Sequence, residues 1–231
     1  MGNFIQTYLP NVYALGWTGD LSWGQAIWET LYMTFASGIL GGILGLIFGF
    51  GLVLSADNGI KPNRTVYQIF DKVVSIGRAI PFIIMLAIVA PLTQLLTGTI
   101  IGPTAALVPL TLGVFAFFAR QVQVALLSVD AGKVEAAQAF GATNRDIIFD
   151  VYIREGRSEL IRVSTVTLIS MVGLTAMAGA IGGGGLGTTA IATGYDRFQF
   201  DVMWVATIIL LIFIIIIQLI GDLLAKHYSH K

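Results

Sequence analysis

The chain has 231 residues, 56% of them hydrophobic and 11% charged, with a mean hydropathy of +0.84. Soluble domains carry about 25% charged residues, so water cannot solvate most of this surface, and the class is integral membrane protein. Thirteen Lys and Arg balance thirteen Asp and Glu, which removes the electrostatic case for nucleic acid, and the lack of cysteine excludes disulfides and thiolate metal sites.

The first 25 residues carry no Lys or Arg but hold Tyr8, Tyr13, Trp17 and Trp23, with Trp28 just beyond. Amphipathic aromatic rings settle at the membrane–water boundary, so residues 1–25 are expected to form an outer interfacial segment. A missing basic n-region argues against a cleavable signal peptide. A helix crosses the hydrocarbon core with roughly 20 apolar residues. Residues 33–54 meet that length without a charge, and Gly38, Gly41, Gly42, Gly45 and Gly49 space small-xxx-small pairs along them, a pattern for close helix packing within the chain or between copies. Residues 76–96 are the second candidate, with Arg78 near the start and Pro81 and Pro91 inside. Residues 103–118, 163–181 and 202–224 complete an expected set of five spans. The prediction is an all-α, multi-pass membrane protein with a transmembrane domain over residues 26–225, a loop at about 130–160, and a tail over 226–231.

Placing the N-terminus outside puts every Lys and Arg except Arg197 on the cytoplasmic side. The positive-inside rule therefore predicts an outer N-terminus and a cytoplasmic C-terminus. No Asp, Glu, Lys, Arg or His lies near the middle of a proposed span, so proton relays and voltage sensing have no carrier. An odd number of spans fits no simple internal duplication. A solute path built here takes its energy from elsewhere, and five helices enclose a path better as a dimer around a shared axis.

Residues 182–187 read GGGGLG, a literal match to the dinucleotide pattern G-x-G-x-x-G. That fingerprint needs a preceding strand and a βαβ unit, whereas here it trails an apolar span. A flexible outer loop or re-entrant segment, where backbones cross closely, is the better reading; a hinge or gate is the alternative. No Walker A sequence occurs, so no phosphate loop for ATP is expected. His227 and His230 sit in the polar tail as solvated side chains. No His/Asp/Glu or Ser/His cluster converges in the spans, so the chain is not expected to be an enzyme.

Residues 128–161 hold ten of the charged side chains between two apolar stretches, which places this loop in water at the cytoplasmic face. Asp130 fits an N-cap before Ala131, and Gly141 fits the left-handed position that ends a helix. Thr143 and Asp146 have the spacing of a capping box, opening a second helix with Ile147, Ile148, Val151 and Tyr152 on one apolar side. Two short helices with a sharp bend either merely connect two spans or offer a docking surface to a soluble partner.

Glu135-Ala136-Ala137 followed by Gly141 resembles the EAA loop of ABC importer permeases. The family pattern closes on Ile-x-Leu-Pro, and the matching positions here are Val151, Ile153 and Arg154, without the proline. Further runs at residues 78–84, 105–111, 118–120, 177–182, 185–187, 194–195 and 218–222 are similar to the permease subunits of methionine ABC importers, over roughly residues 26–224. The resemblance implies a multi-pass permease of the cell membrane that moves methionine, L- or D-, by alternating access. It implies a homodimer with two copies of a cytoplasmic ABC ATPase and an extracytoplasmic methionine-binding protein. It also implies no cofactor on this chain, with ATP and Mg on the partner ATPase.

By the same resemblance, Glu135, Ala136, Ala137, Phe140 and Gly141 correspond to the coupling helix that enters a groove on the ATPase, with Ile147 and Val151 in its packing. Glu135 pairs either with a basic group there or with Lys133 or Arg145. Span four supplies the expected pathway or gate, in Ser170, Met171, Thr175, Met177 and Gly179, with Ser164 and Thr167 beside them. These are small polar or soft surfaces without charge, and the flexible thioether of Met177 suits a narrow gate. Ordinary helix packing is the competing reading for each. Asp196, Arg197 and Asp201 are expected outside, as contacts for the binding protein or as hydrated loop charges. The alternatives in function are a permease for another amino acid or a short peptide, and a passive channel or membrane scaffold.

Overall fold

The structure, a computed structural model, describes residues 6–229; His230 and Lys231, expected at the end of the tail, lie outside them, as do residues 1–5. The regular elements among the described residues are all helical. In chain order they are α1 (Pro10–Leu15), α2 (Trp23–Ser55), α3 (Arg64–Ala79), α4 (Phe82–Ile88), α5 (Ala90–Thr97) and α6 (Pro103–Leu127). Next come α7 (Ala131–Ala139), α8 (Asn144–Ala180), α9 (Gly185–Thr188) and α10 (Phe200–Tyr228). The backbone widens to π-helical turns over Ile147–Ile153 inside α8, and over Thr189–Tyr195, which continues α9.

Four helices are long and apolar enough to cross a membrane: α2, α6, α8 and α10. The remaining expected span, residues 76–96, is not one helix. It is divided among the end of α3, α4 and α5. Pro81 has no N–H to continue α3, and Val89 carries a second break just before Pro91 in the first turn of α5. Most other boundaries shift outward, although α6 opens at the expected Pro103 and α8 ends at Ala180, one residue inside the expected 181. α2 opens at Trp23 rather than residue 33, and α6 runs to Leu127, past the expected end at 118.

The chain divides into two compact units. The first comprises residues up to Ile39 together with Pro81–Leu112 and Leu168–Ile216. Trp23, expected in the aromatic belt, is instead buried in its core with Ala26, Leu186, Ala190, Val202 and Ala206. Its indole N–H donates to the Val12 carbonyl at 3.0 Å, satisfying the polar edge that would otherwise seek the interface. Tyr13, Trp17 and Trp28 remain exposed. Asp201 is not a free loop charge: its carboxylate accepts from the Asn11 backbone N–H at 3.0 Å and the Asn11 side-chain amide at 2.9 Å. It thereby holds the start of α1 against the start of α10.

The glycine run opens α9 rather than forming a slack loop. Gly184 and Gly185 take φ of +86° and +72°, a region open to glycine at no steric cost. The Gly185 N–H then donates to the Glu29 carboxylate at 2.7 Å, and the Leu186 N–H to the Thr30 hydroxyl at 2.8 Å. The first amides of this helix start are thus closed by a carboxylate and a hydroxyl of the same chain. Close backbone approach, as expected, follows at once: a Cβ on Gly187 would lie 2.5 Å from the Ala176 carbonyl oxygen.

The second unit comprises Leu40–Ile80, Gly113–Thr167 and the residues from Ile217 on. Glycines of α2 admit neighbours here, Gly45 facing Phe118 and Gly49 facing Val122, so these positions pack within the chain. Phe48 packs between Phe70 and Phe115, with ring centroids 4.7 and 5.1 Å away, the second pair edge-on. Arg120 of α6 reaches across to Asp71 of α3 at 2.6 Å and also bonds Gln123 at 2.7 Å.

Two substitutions separate close approach from open space. Gly187→Ala is expected to cost about 1–3 kcal/mol, because the obstructing atoms are backbone. Gly173→Ala, with nothing within 4 Å of the added carbon, is expected to be neutral or to gain up to about 1 kcal/mol from helix propensity. Thermal unfolding of the detergent-purified chain measures both.

Candidate functional site

The loop after α6 is built from local caps. The Asp130 carboxylate accepts from the Gly132 N–H at 2.8 Å and starts α7. At the other end Gly141 takes φ of +81°. Its N–H donates to the Gln138 carbonyl at 2.9 Å, while the Ala142 N–H donates to the Ala137 carbonyl at 3.0 Å. That paired pattern is the Schellman closure of a helix. Thr143 and Asp146 then form the full capping box, with the Thr143 N–H donating to the Asp146 carboxylate at 2.8 Å.

The second helix is not a separate short piece. It opens α8 and continues without interruption to Ala180, since Arg154 stands where a proline would have removed an N–H. Its first turns are π-helical, which brings side chains five apart onto one side. Ile147 and Tyr152 accordingly both face inward, in one buried cluster with Val134 of α7 and with Phe118, Val122 and Leu126 of α6. Ala137, Ala142 and Val151 pack against that cluster. Lys133 of α7 pairs with Glu155 of α8 at 2.6 Å, an exposed contact worth about 0–1 kcal/mol.

One side of α7 is thus tied down and the other is bare. Glu135, Ala136 and Gly141 are exposed, and Phe140 is 93% exposed, the highest value among the described large hydrophobic side chains. Phe149 is also exposed, at 64%. Among the described residues no ion pair reaches Glu135; Lys133 is engaged by Glu155 instead. Among the described residues the bare side thus presents an exposed aromatic ring and, five residues earlier, an exposed carboxylate outside any ion pair. The sequence does not single out Phe149, which follows Ile147 and Ile148 as one more residue of a short apolar run.

The expected pathway residues of α8 fall on two faces. Ser170 and Met177 are exposed, with Gly173 between them. Met171 and Thr175 are buried within the chain, and the Thr175 hydroxyl donates to the Val172 carbonyl at 2.8 Å. Gly179 is buried where a Cβ would lie 2.5 Å from the Thr188 nitrogen. Ser164 and Thr167 bond back to the carbonyls of Leu160 and Val163, each at 2.7 Å. Of the expected set, Ser170 and Met177 are therefore exposed and Ser164 half-buried, while Thr167, Met171, Thr175 and Gly179 are buried. Among the described residues no group of three or more His, Cys, Asp or Glu could hold a metal ion.

A family model described as the inner membrane component of binding-protein-dependent transport systems matches residues 41–230. The chain is 42% identical over 208 residues to a probable D-methionine transport system permease protein, MetI, of Pasteurella multocida (strain Pm70), covering 90% of this chain and 96% of that protein. It is 44% identical over 224 residues to the methionine import system permease protein MetP of Bacillus subtilis (strain 168), covering 96% and 97%. Among solved structures, an inward-facing form of the MetNI methionine ABC transporter superposes with a TM-score of 0.88 at 39% identity, over 90% of this chain and 96% of that one.

Phe140→Ala is expected to leave the stability of the isolated chain within about 0.5 kcal/mol, as an exposed substitution should. Ile147→Ala is expected to cost about 2–5 kcal/mol, because it opens a cavity in the buried cluster. Denaturation followed by tryptophan fluorescence distinguishes the two, and equal losses would mean that Phe140 is packed after all.

Proposed function

The chain belongs to the family of binding-protein-dependent transport system inner membrane components, and we propose that it is the membrane-spanning permease of an ATP-driven methionine importer. The observation that carries the reading is near-complete alignment with permeases named for methionine, at more than 40% identity over about nine-tenths of the chain or more. The chain crosses the membrane five times, the broken segment α4–α5 serving as the additional crossing beside the four long helices. The N-terminus is outside and the C-terminus cytoplasmic, by the distribution of Lys and Arg.

Two copies enclose the path. Each offers α7 to a cytoplasmic ATPase that holds ATP and Mg, and an extracytoplasmic binding protein delivers methionine, L- or D-. Phe140 inserts into the ATPase as an aromatic anchor, Glu135 meets a basic group beside it, and Ala136 lets the two surfaces approach. Gly141 shapes the knob. Ile147 and Val151 transmit its displacement, because they are packed beneath it and belong to α8. Ser170 and Met177, on the exposed face of that same continuous helix, line the pathway, and Met177 closes it. ATP binding and hydrolysis then bias two arrangements of the permease through differential contacts at α7.

Reconstitution with the ATPase and binding protein tests this reading. Uptake of labelled L-methionine is expected to require ATP and to be competed by D-methionine more than by other amino acids or short peptides. Phe140→Ala is expected to weaken ATPase association by at least about 2 kcal/mol, roughly thirtyfold. Flux that persists without nucleotide would make the chain a passive channel, and preference for another solute would keep the machinery but change the cargo.

A further inference from the structure

The last turns of α10 and the facing part of α8 enclose an open cavity of about 500 Å³, lined by Arg162, Thr165 and Val166 on one side and by Gln218, Asp222 and Lys226 on the other. The helices are held together on its margins. A Cβ on Gly221 would lie 2.1 Å from the Thr165 hydroxyl oxygen, and the Ser158 hydroxyl donates to the Ala225 carbonyl at 3.0 Å. Neither Arg162 nor Lys226 has an ion pair or side-chain hydrogen bond among the described residues. The one carboxylate present, Asp222, accepts from the Gln218 amide at 2.9 Å through each oxygen. Two cations against one engaged carboxylate leave the cavity net positive.

We propose that this cavity binds the phosphate of an anionic phospholipid headgroup. Depth argues for lipid over a free anion. Arg162 stands immediately before the apolar run of α8 that begins at Val163, and Lys226 lies one turn past Asp222, where the uncharged run of α10 ends, so both cations mark one boundary of the hydrocarbon layer. Beside them Val166, Leu219 and Leu223 are exposed and give acyl chains an apolar wall. A basic pocket between membrane helices at headgroup depth is the arrangement that recognises anionic lipid. Lipid capture there is independent of what the chain transports.

The test is native mass spectrometry of the full-length chain, purified in detergent and titrated with phosphatidylglycerol, phosphatidylcholine or inorganic phosphate. The chain is expected to retain phosphatidylglycerol, which neither phosphatidylcholine nor phosphate displaces. Arg162→Gln and Lys226→Gln are each expected to weaken retention about fivefold, the worth of one interfacial cation. Arg162→Lys and Lys226→Arg are expected to preserve it, which separates lost charge from lost folding. Displacement by phosphate alone would make this a small-anion site, and unchanged retention in the doubly neutralised variant would leave no site. Because the chain has no cysteine, Val166→Cys offers a further check: a disulfide between two copies in native membranes would make the cavity a subunit contact and overturn the proposal.

Discussion

Ile147 and Tyr152, buried in one cluster with Val134, make the contact on which the placement of α7 depends. Each fully buried apolar side chain contributes about 1.5–3 kcal/mol, whereas the Lys133–Glu155 pair lies at the surface and adds little. The hairpin is therefore held by hydrocarbon from below, and its polar face is free to carry recognition. The division of labour is visible along the chain: residues that pack and residues that are bare alternate within a few positions, as at Ala137 and Phe140 or Ile147 and Phe149.

The other constraint is the obligation to satisfy backbone groups where lipid offers no partner. The interruption between α8 and α9 would leave amides without acceptors, and Glu29 and Thr30 of α2 supply them. α1 receives the same service from Asp201. Arg120, inside α6, is matched by Asp71, Ser75 and Gln123, so its charge does not stand alone. In each case a polar side chain on a long helix answers a need created by a distant segment.

That distance separates what could be read from the sequence from what could not. Asp130, Gly141, Thr143 and Asp146 announced their helix ends because each cap is satisfied within a few residues. The early start of α2 was hidden, since Glu29 and Thr30 look like the polar edge of a span until Gly185 and Leu186 arrive from 156 residues away. Trp23 was placed in the aromatic belt by composition, and only the Val12 carbonyl explains its burial. The two faces of α8 were illegible for a different reason. Lipid and protein interior are both apolar, so Met171 and Met177 carry no signature telling a buried face from an open one. Periodicity, the usual guide, has nothing to contrast.

The π-helical turns over Ile147–Ile153 place a register shift upstream of everything else in α8. An α-helix advances about 100° per residue. A π-helical turn holds about one residue more than an α-helical one, so removing a single residue from Ile147–Ile153 restores ordinary pitch and leaves the downstream helix facing as it does now. Beyond Arg154 the pitch is already ordinary, and the same loss there swings everything after it by about 100°, turning the sealed Met171 outward. The water-exposed hairpin thus carries slack for a one-codon deletion that the apolar length of the same helix lacks.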